Sequence, residues 1–324
     1  MSGRYARFVI KPPALKRGDV VRIVAPSGPF DPESFEKGLG VMRDRLGLVP
    51  RMRDDIVARE GYLAGDDARR LAEWHEAASD PEARAVWCAR GGYGAMRLLP
   101  RLEAARIFHP PKIFIGFSDI TALHVLLNRN GLVTVHGPVV TQLGRLGPEA
   151  IDHLEGLLFG GAPPLADRRV PVPPPGRGVL ARTTLRPGMA SGQLLGGSLT
   201  VLSHLCGTRW QPRFAGAVLF LEDVGERPYR IDRMLTQLRL SGALDRVAGI
   251  AIGQFTQCDD PELEGVEVVR RVAWDLGVPT VEGVPAGHED DNFAMPLGSM
   301  VTVVAPAQPE DGPPRLTFEQ GATT

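Results

Sequence analysis

The chain has 324 residues with 37 basic and 38 acidic side chains, a formal charge of −1, 43% hydrophobic residues and three cysteines. That balance excludes the clustered basic excess on which nucleic-acid binding depends. Three cysteines cannot all pair and none sits in a CxxC, which fits a reducing compartment better than a disulfide framework, and no run approaches the ~18–20 apolar residues of a membrane span.

The start, Met1-Ser-Gly-Arg-Tyr-Ala-Arg7, leads into Lys11-Pro12-Pro13 without the apolar segment and small-residue site of an export signal, so a cytoplasmic protein is expected. At roughly 100–200 residues per domain the length suggests two domains. Asp19-Val-Val-Arg-Ile-Val-Ala25 reads as a strand ending in the turn Pro26-Ser-Gly-Pro29, followed by a helix near 33–46 and an extended piece near 48–52. Asp66 and Asp67 suit a helix start, where carboxylates meet exposed N–H groups. Ala85-Val-Trp-Cys-Ala89 reads as a buried strand running into Arg90-Gly-Gly-Tyr-Gly94, and the strand 113–115 precedes a helix over 120–128. Strands alternating with helices predict a parallel sheet covered on both faces, with functional residues where strands end.

Composition changes after Phe159. Residues 160–188 are rich in Pro and Gly and hold no aromatic, which predicts a linker between a 1–159 domain and a 189–324 domain. Beyond it, Gly196-Gly-Ser198 introduces a helix with Leu199, Leu202 and Leu205 on one face. The strand 217–221 leads through Glu222 to Pro228 into a helix with Ile231, Met234, Leu235 and Leu238 at helical spacing. A strand at 248–252, a helix with Val266, Val269, Ala273 and Leu276, and strands near 281, 301–304 and 315–318 complete the chain. The expected fold is α/β: an N-terminal parallel-sheet domain plus a C-terminal mixed β/α domain.

Ile115-Gly-Phe-Ser-Asp-Ile120 is the sharpest chemical feature. A serine between a buried strand and a helix stands exposed above the sheet, beside amides able to stabilise an oxyanion. Ser118 or Asp119 as an ordinary helix N-cap is the plain alternative. A serine nucleophile needs a histidine base oriented by a carboxylate. Of seven histidines, His75 and His153 read as solvated helix faces, His109 as a turn residue and His204 as helix packing. His124 sits too far along its helix. His136, in Val-His-Gly-Pro, and His288, in Ala-Gly-His-Glu, both stand at strand ends beside glycine, and the pattern leaves both open. Glu222 directly follows an apolar run, whereas Glu226 suits a helix start, so Glu222 is the functional candidate.

Arg90-Gly-Gly-Tyr-Gly94 matches neither G-x-G-x-x-G nor the P-loop, and reads instead as one wall of an oxyanion hole. His288-Glu-Asp-Asp-Asn292 reads as an acidic surface loop rather than a metal cluster. No metal or cofactor is expected.

Taken in order, Arg90-Gly-Gly-Tyr-Gly94, Gly116-Phe-Ser-Asp-Ile-Thr-Ala-Leu-His124, His136-Gly-Pro138, Gly196-Gly-Ser-Leu199, Leu221-Glu-Asp-Val-Gly-Glu-Arg-Pro-Tyr-Arg-Ile-Asp232, Gly287-His288 and Pro296-Leu-Gly298 resemble the L,D-carboxypeptidases of the muramoyl-tetrapeptide type, whose relatives include microcin C immunity proteins. The resemblance spans about 16–304. It implies a Ser-Glu-His triad of Ser118, Glu222 and His288. Glu222 lies 104 positions beyond Ser118 and His288 a further 66, spacings like the family's that favour Glu222 over Glu226. It implies an oxyanion hole from the N–H of Asp119 and of Gly92, and a site between the domains. The implied reaction is acyl transfer that releases D-alanine from a small cytoplasmic muropeptide in cell-wall recycling, by a homodimer. The substrate's free carboxylate is expected to be held by an arginine, with Arg90 and Arg230 as candidates, or by helix-terminal amides. Two other readings differ in chemistry: hydrolysis of peptidyl nucleotides, which calls for an aromatic platform such as Trp210 or Tyr93, and a non-catalytic two-lobed binding protein.

Overall fold

A computed structural model describes residues 9–160, 177–319 and 321–324. Its strands are β1 (Val20–Val24), β2 (Val49–Arg51), β3 (Ala83–Cys88), β4 (Ile113–Gly116), β5 (Thr134–His136), β6 (Gly178–Leu180), β7 (Thr183–Arg186), β8 (Gly188–Ser198), β9 (Val218–Val224), β10 (Gly249–Thr256), β11 (Thr280–Glu282), β12 (Met295–Leu297), β13 (Met300–Ala305) and β14 (Arg315–Phe318). They form two sheets, of order β12-β5-β4-β3-β1-β2 and β6-β14-β13-β8-β9-β10-β11-β7. The first sheet is parallel except where β12 joins β5. The second is parallel across β8-β9-β10-β11 and antiparallel toward both edges.

Side chains alternate between two apolar layers. In β3, Ala85 and Trp87 enter one cluster while Val86 and Cys88 enter the other. In β9, Val218 and Phe220 likewise separate from Leu219 and Leu221. Both faces are therefore covered, as parallel strands require. Each fully buried large aliphatic or aromatic side chain contributes about 1.5–3 kcal/mol. The expected helix starts are capped: Asp66 accepts from Arg69 N at 2.7 Å and Asp31 from Ser34 N at 2.8 Å.

The two sheets do not divide the chain at the same places as the expected domain limits. Within 160–188, residues 161–176 lie outside the described residues, but β6 and β7 occupy much of the remainder and form both edges of the second sheet. Short edge strands bury little, so their sequence carries no apolar run to announce them. Met295–Leu297 belongs by sequence to the second half yet completes the first sheet, pairing with β5. Pro296 is tolerated there because an edge strand has an outward side with no partner to receive an N–H. Among the described residues no helix is long and apolar enough to cross a membrane.

Parallel strands send their carboxyl ends the same way. The turn after β1 meets the turn after β3 through Gly28 N donating to Gly91 O at 3.0 Å. Ser118 follows β4, Glu222 lies near the end of β9, and His288 follows β11. The carboxyl ends of both sheets thus converge on one crevice, the usual ligand position in open α/β sheets.

A candidate active site between the two sheets

Ser118 sits where β4 turns into a helical turn, 118–120, and the helix Thr121–Arg129. Its φ is +64°, a left-handed conformation that a non-glycine residue adopts at a cost of about 1–3 kcal/mol. In this conformation the hydroxyl makes no bond back to the helix amides. Neither Ser118 nor Asp119 caps the helix. The buried Asp119 carboxylate instead accepts from Ser27 Oγ at 2.6 Å and Ala95 N at 2.8 Å. It ties the turns after β1 and β3 to the serine's own segment.

His288 lies between Ser118 and Glu222. Its Nδ1 is 2.8 Å from Glu222 Oε2 and its Nε2 is 3.0 Å from Ser118 Oγ. An ionised carboxylate only accepts, so Nδ1–H donates to Glu222 and Nε2 faces the hydroxyl as an acceptor. Glu222 is fully buried and the His288 side chain is 17% exposed. Burial pulls the imidazole pKa down, but the Glu222 charge and hydrogen bond, with Asp223 behind, carry it above its ordinary value. Asp223 accepts from Thr200 N and Val224 N, and its pKa is raised to about 6 by burial and then by the Glu222 charge.

The loop bearing His288 is clamped from two sides. Gly287 N donates to Asn292 Oδ1, Asn292 Nδ2 to Gln142 Oε1, and Gln142 Nε2 to Glu289 O. Gln254 accepts from Glu289 N and donates to Asp291 O. The expected surface loop is thus half right: Asn292 is fully buried, while Glu289 to Asp291 face solvent.

The histidine choice left open by sequence pattern is resolved by position. His136 is completely buried and neither ring nitrogen has a hydrogen-bond partner; burial, then the neighbouring His124 and His288, push its pKa far down. It packs edge-on against Phe117, whose ring also lies against His288. His124 is a core residue bonded to Gly116 O and Thr134 Oγ1. His153, expected on a solvated face, is buried and bonds Ala294 O, because its helix packs that side on the core.

Ser118 and His288 open into a crevice of about 590 Å³ walled also by Arg90, Gly92, Phe117, Gln142 and Arg145. Gly91 packs so close that an added Cβ would lie 3.0 Å from Ser118 Cβ. Gly92, at φ +108°, lines the crevice. Arg90 donates to Pro29 O from its exposed side chain. Arg230 is not part of this crevice: it pairs with Glu226 at 3.5 Å and lies beside Tyr229 on an exposed helix face. Arg145 does line it and was missed, since Gly144-Arg145-Leu146 after a four-residue helix carries no pattern that marks a site. A larger cavity, about 720 Å³ between Arg182–Thr184 and Pro306–Pro314, holds none of these groups.

Residues 21–137 match the LD-carboxypeptidase N-terminal domain and residues 191–303 the LD-carboxypeptidase C-terminal domain. A murein tetrapeptide carboxypeptidase of Pseudomonas aeruginosa is 36% identical over 294 residues, covering 86% of this chain and 91% of that protein. The crystal structure of a muramoyltetrapeptide carboxypeptidase from Oxalobacter formigenes is similar with a TM-score of 0.78 and 27% identity, over 94% of this chain and 100% of that one. A structure of MccF in complex with glutamyl sulfamoyl guanosine has a TM-score of 0.80 at 22% identity over 96% and 99%, a likeness of fold.

Proposed function

The chain belongs to the LD-carboxypeptidase family, a family of hydrolases, and from that premise we propose that it is a serine-type carboxypeptidase releasing the terminal D-alanine of murein tetrapeptides, with Ser118, His288 and Glu222 as its triad. The observation that carries this reading is the relay itself: Ser118 Oγ and Glu222 Oε2 on opposite nitrogens of one imidazole, at 3.0 and 2.8 Å.

In this reaction Ser118 Oγ attacks the carbonyl of the L-centre at the third residue while its proton passes to His288 Nε2. The N–H groups of Asp119 and Gly92 hold the oxyanion. Collapse breaks the C–N bond, and His288 protonates the departing D-alanine amine. Water then attacks the Ser118 ester, giving its proton to His288, and the tripeptide leaves. Glu222 keeps the proton on Nδ1 and stabilises the imidazolium. A non-catalytic binder has no use for a buried carboxylate poised on that histidine. Incubation with L-Ala-γ-D-Glu-meso-diaminopimelyl-D-Ala, with D-alanine measured enzymatically, tests the proposal: stoichiometric D-alanine and tripeptide are expected, and none would refute it.

One observation favours a second substrate class. Tyr93, next to Gly92, is 52% exposed and stands edge-on to the exposed Tyr62 at 5.6 Å, a surface on which a nucleobase can stack. Trp210 is engaged by the Arg209 guanidinium at 4.3 Å. Hydrolysis of a peptidyl adenylate with no D-alanine released from the tetrapeptide would support that class instead.

A further inference from the structure

Resting on the carboxypeptidase reading, we propose that Arg145 is the residue that captures the substrate's C-terminal carboxylate, from the seat it shares with Asp290 beside His288. In a substrate ending in D-alanine, only the alanine nitrogen and Cα separate the carboxylate from the scissile carbonyl. Its anchor therefore lies in the crevice that holds Ser118 and His288, where a cation is the strongest partner for a carboxylate. Two line it, Arg90 and Arg145. Arg90 already donates to the Pro29 carbonyl, and Arg230 stands outside with Glu226.

Arg145 is different in its resting partner. Its Nε lies 3.5 Å from Asp290 Oδ1, with the two side chains 57% and 76% exposed. An ion pair that open to water contributes little, so an incoming carboxylate displaces Asp290 at small cost. Asp290 shows where an anion sits on this guanidinium: on the loop of His288, two residues away. Arg145 N donates to Gln142 O, and Gln142 itself grips the His288 loop through Glu289 O and Asn292. The backbone of Arg145 and the loop of His288 are therefore joined through Gln142, while the guanidinium itself stays free to turn toward a ligand. Its charge is also felt by His288, whose pKa it opposes. A bidentate guanidinium–carboxylate pair would fix the scissile bond relative to Nε2 and make the enzyme an exopeptidase.

The test uses two tetrapeptides of one sequence, one ending in free D-alanine and one in D-alaninamide, with tripeptide formation followed by mass spectrometry for wild type, R145A, R145K and R230A. Wild type should prefer the acid. R145A should lose roughly 10- to 100-fold in kcat/KM on the acid, the loss expected for a hydrogen-bonded charge pair, and change little on the amide. R145K should recover part of the acid preference, and R230A should keep all of it. An acid-to-amide ratio preserved in R145A would overturn the assignment. Wild type inert toward both peptides, yet folded by circular dichroism, would overturn the murein-peptide reading and this inference with it.

Discussion

Glu222 and His288, 66 positions apart, meet through a 2.8 Å contact from which solvent is excluded on the carboxylate side. That contact fixes the ring's tautomer and offsets the effect of burial on its pKa. The proposed reaction needs neutral His288, so kcat/KM should rise with pH through a midpoint above the ordinary 6.5. E222Q removes the raising charge and leaves the burial, so its midpoint should move to lower pH while the rate falls by about 10²–10⁴. E226Q, which alters only a partly exposed pair with Arg230, should stay within a few-fold of wild type. Equal losses would mean the wrong carboxylate has been assigned. A pH–rate profile of both variants decides it.

The Asp119 side chain has a tethering part of its own. Its Oδ2 accepts from both Ser27 Oγ and Ala95 N, so one buried oxygen joins three turns around Ser118. D119A leaves those donors unsatisfied at about 1–3 kcal/mol each, and should lower both melting temperature and kcat. D119N keeps an acceptor in place and should restore most of both. If D119N is as inactive as D119A, the negative charge matters and the tether explanation is wrong.

Gly91 presses on Ser118. An alanine methyl there would stand 3.3 Å from Ser118 Oγ and 3.2 Å from Phe117 O. Gly91 has no left-handed backbone, so G91A should unfold at nearly the wild-type temperature while losing kcat by tenfold or more. G196A differs in kind, since its methyl would fall 1.8 Å from the Phe220 carbonyl oxygen and the strand pairing itself must yield. Comparing the two variants' kcat and thermal midpoints separates crowding of the hydroxyl from loss of fold.

The sequence made the strand-end residues legible because their chemistry is local. A buried run ending in Gly-Phe-Ser-Asp, and another ending in Glu, place functional groups at the carboxyl ends of strands without knowledge of the rest. The choice between His136 and His288 was not local. Both stand near a strand end beside glycine, and only burial in three dimensions shows that the His136 ring is sealed in the core while His288 faces the hydroxyl. β8 was hidden because Gly, Ser and Ala dominate it, and its stability comes from partners on both sides, β13 and β9. Arg145 was hidden among many arginines, since what distinguishes it is its neighbours in space.

The most direct measurement is D-alanine release from murein tetrapeptide by wild type and S118A at equal, verified fold. We predict turnover by wild type and a loss of at least about a thousandfold in S118A, the scale on which removal of a serine nucleophile acts. Release by S118A at a rate near that of wild type would contradict Ser118 as the nucleophile.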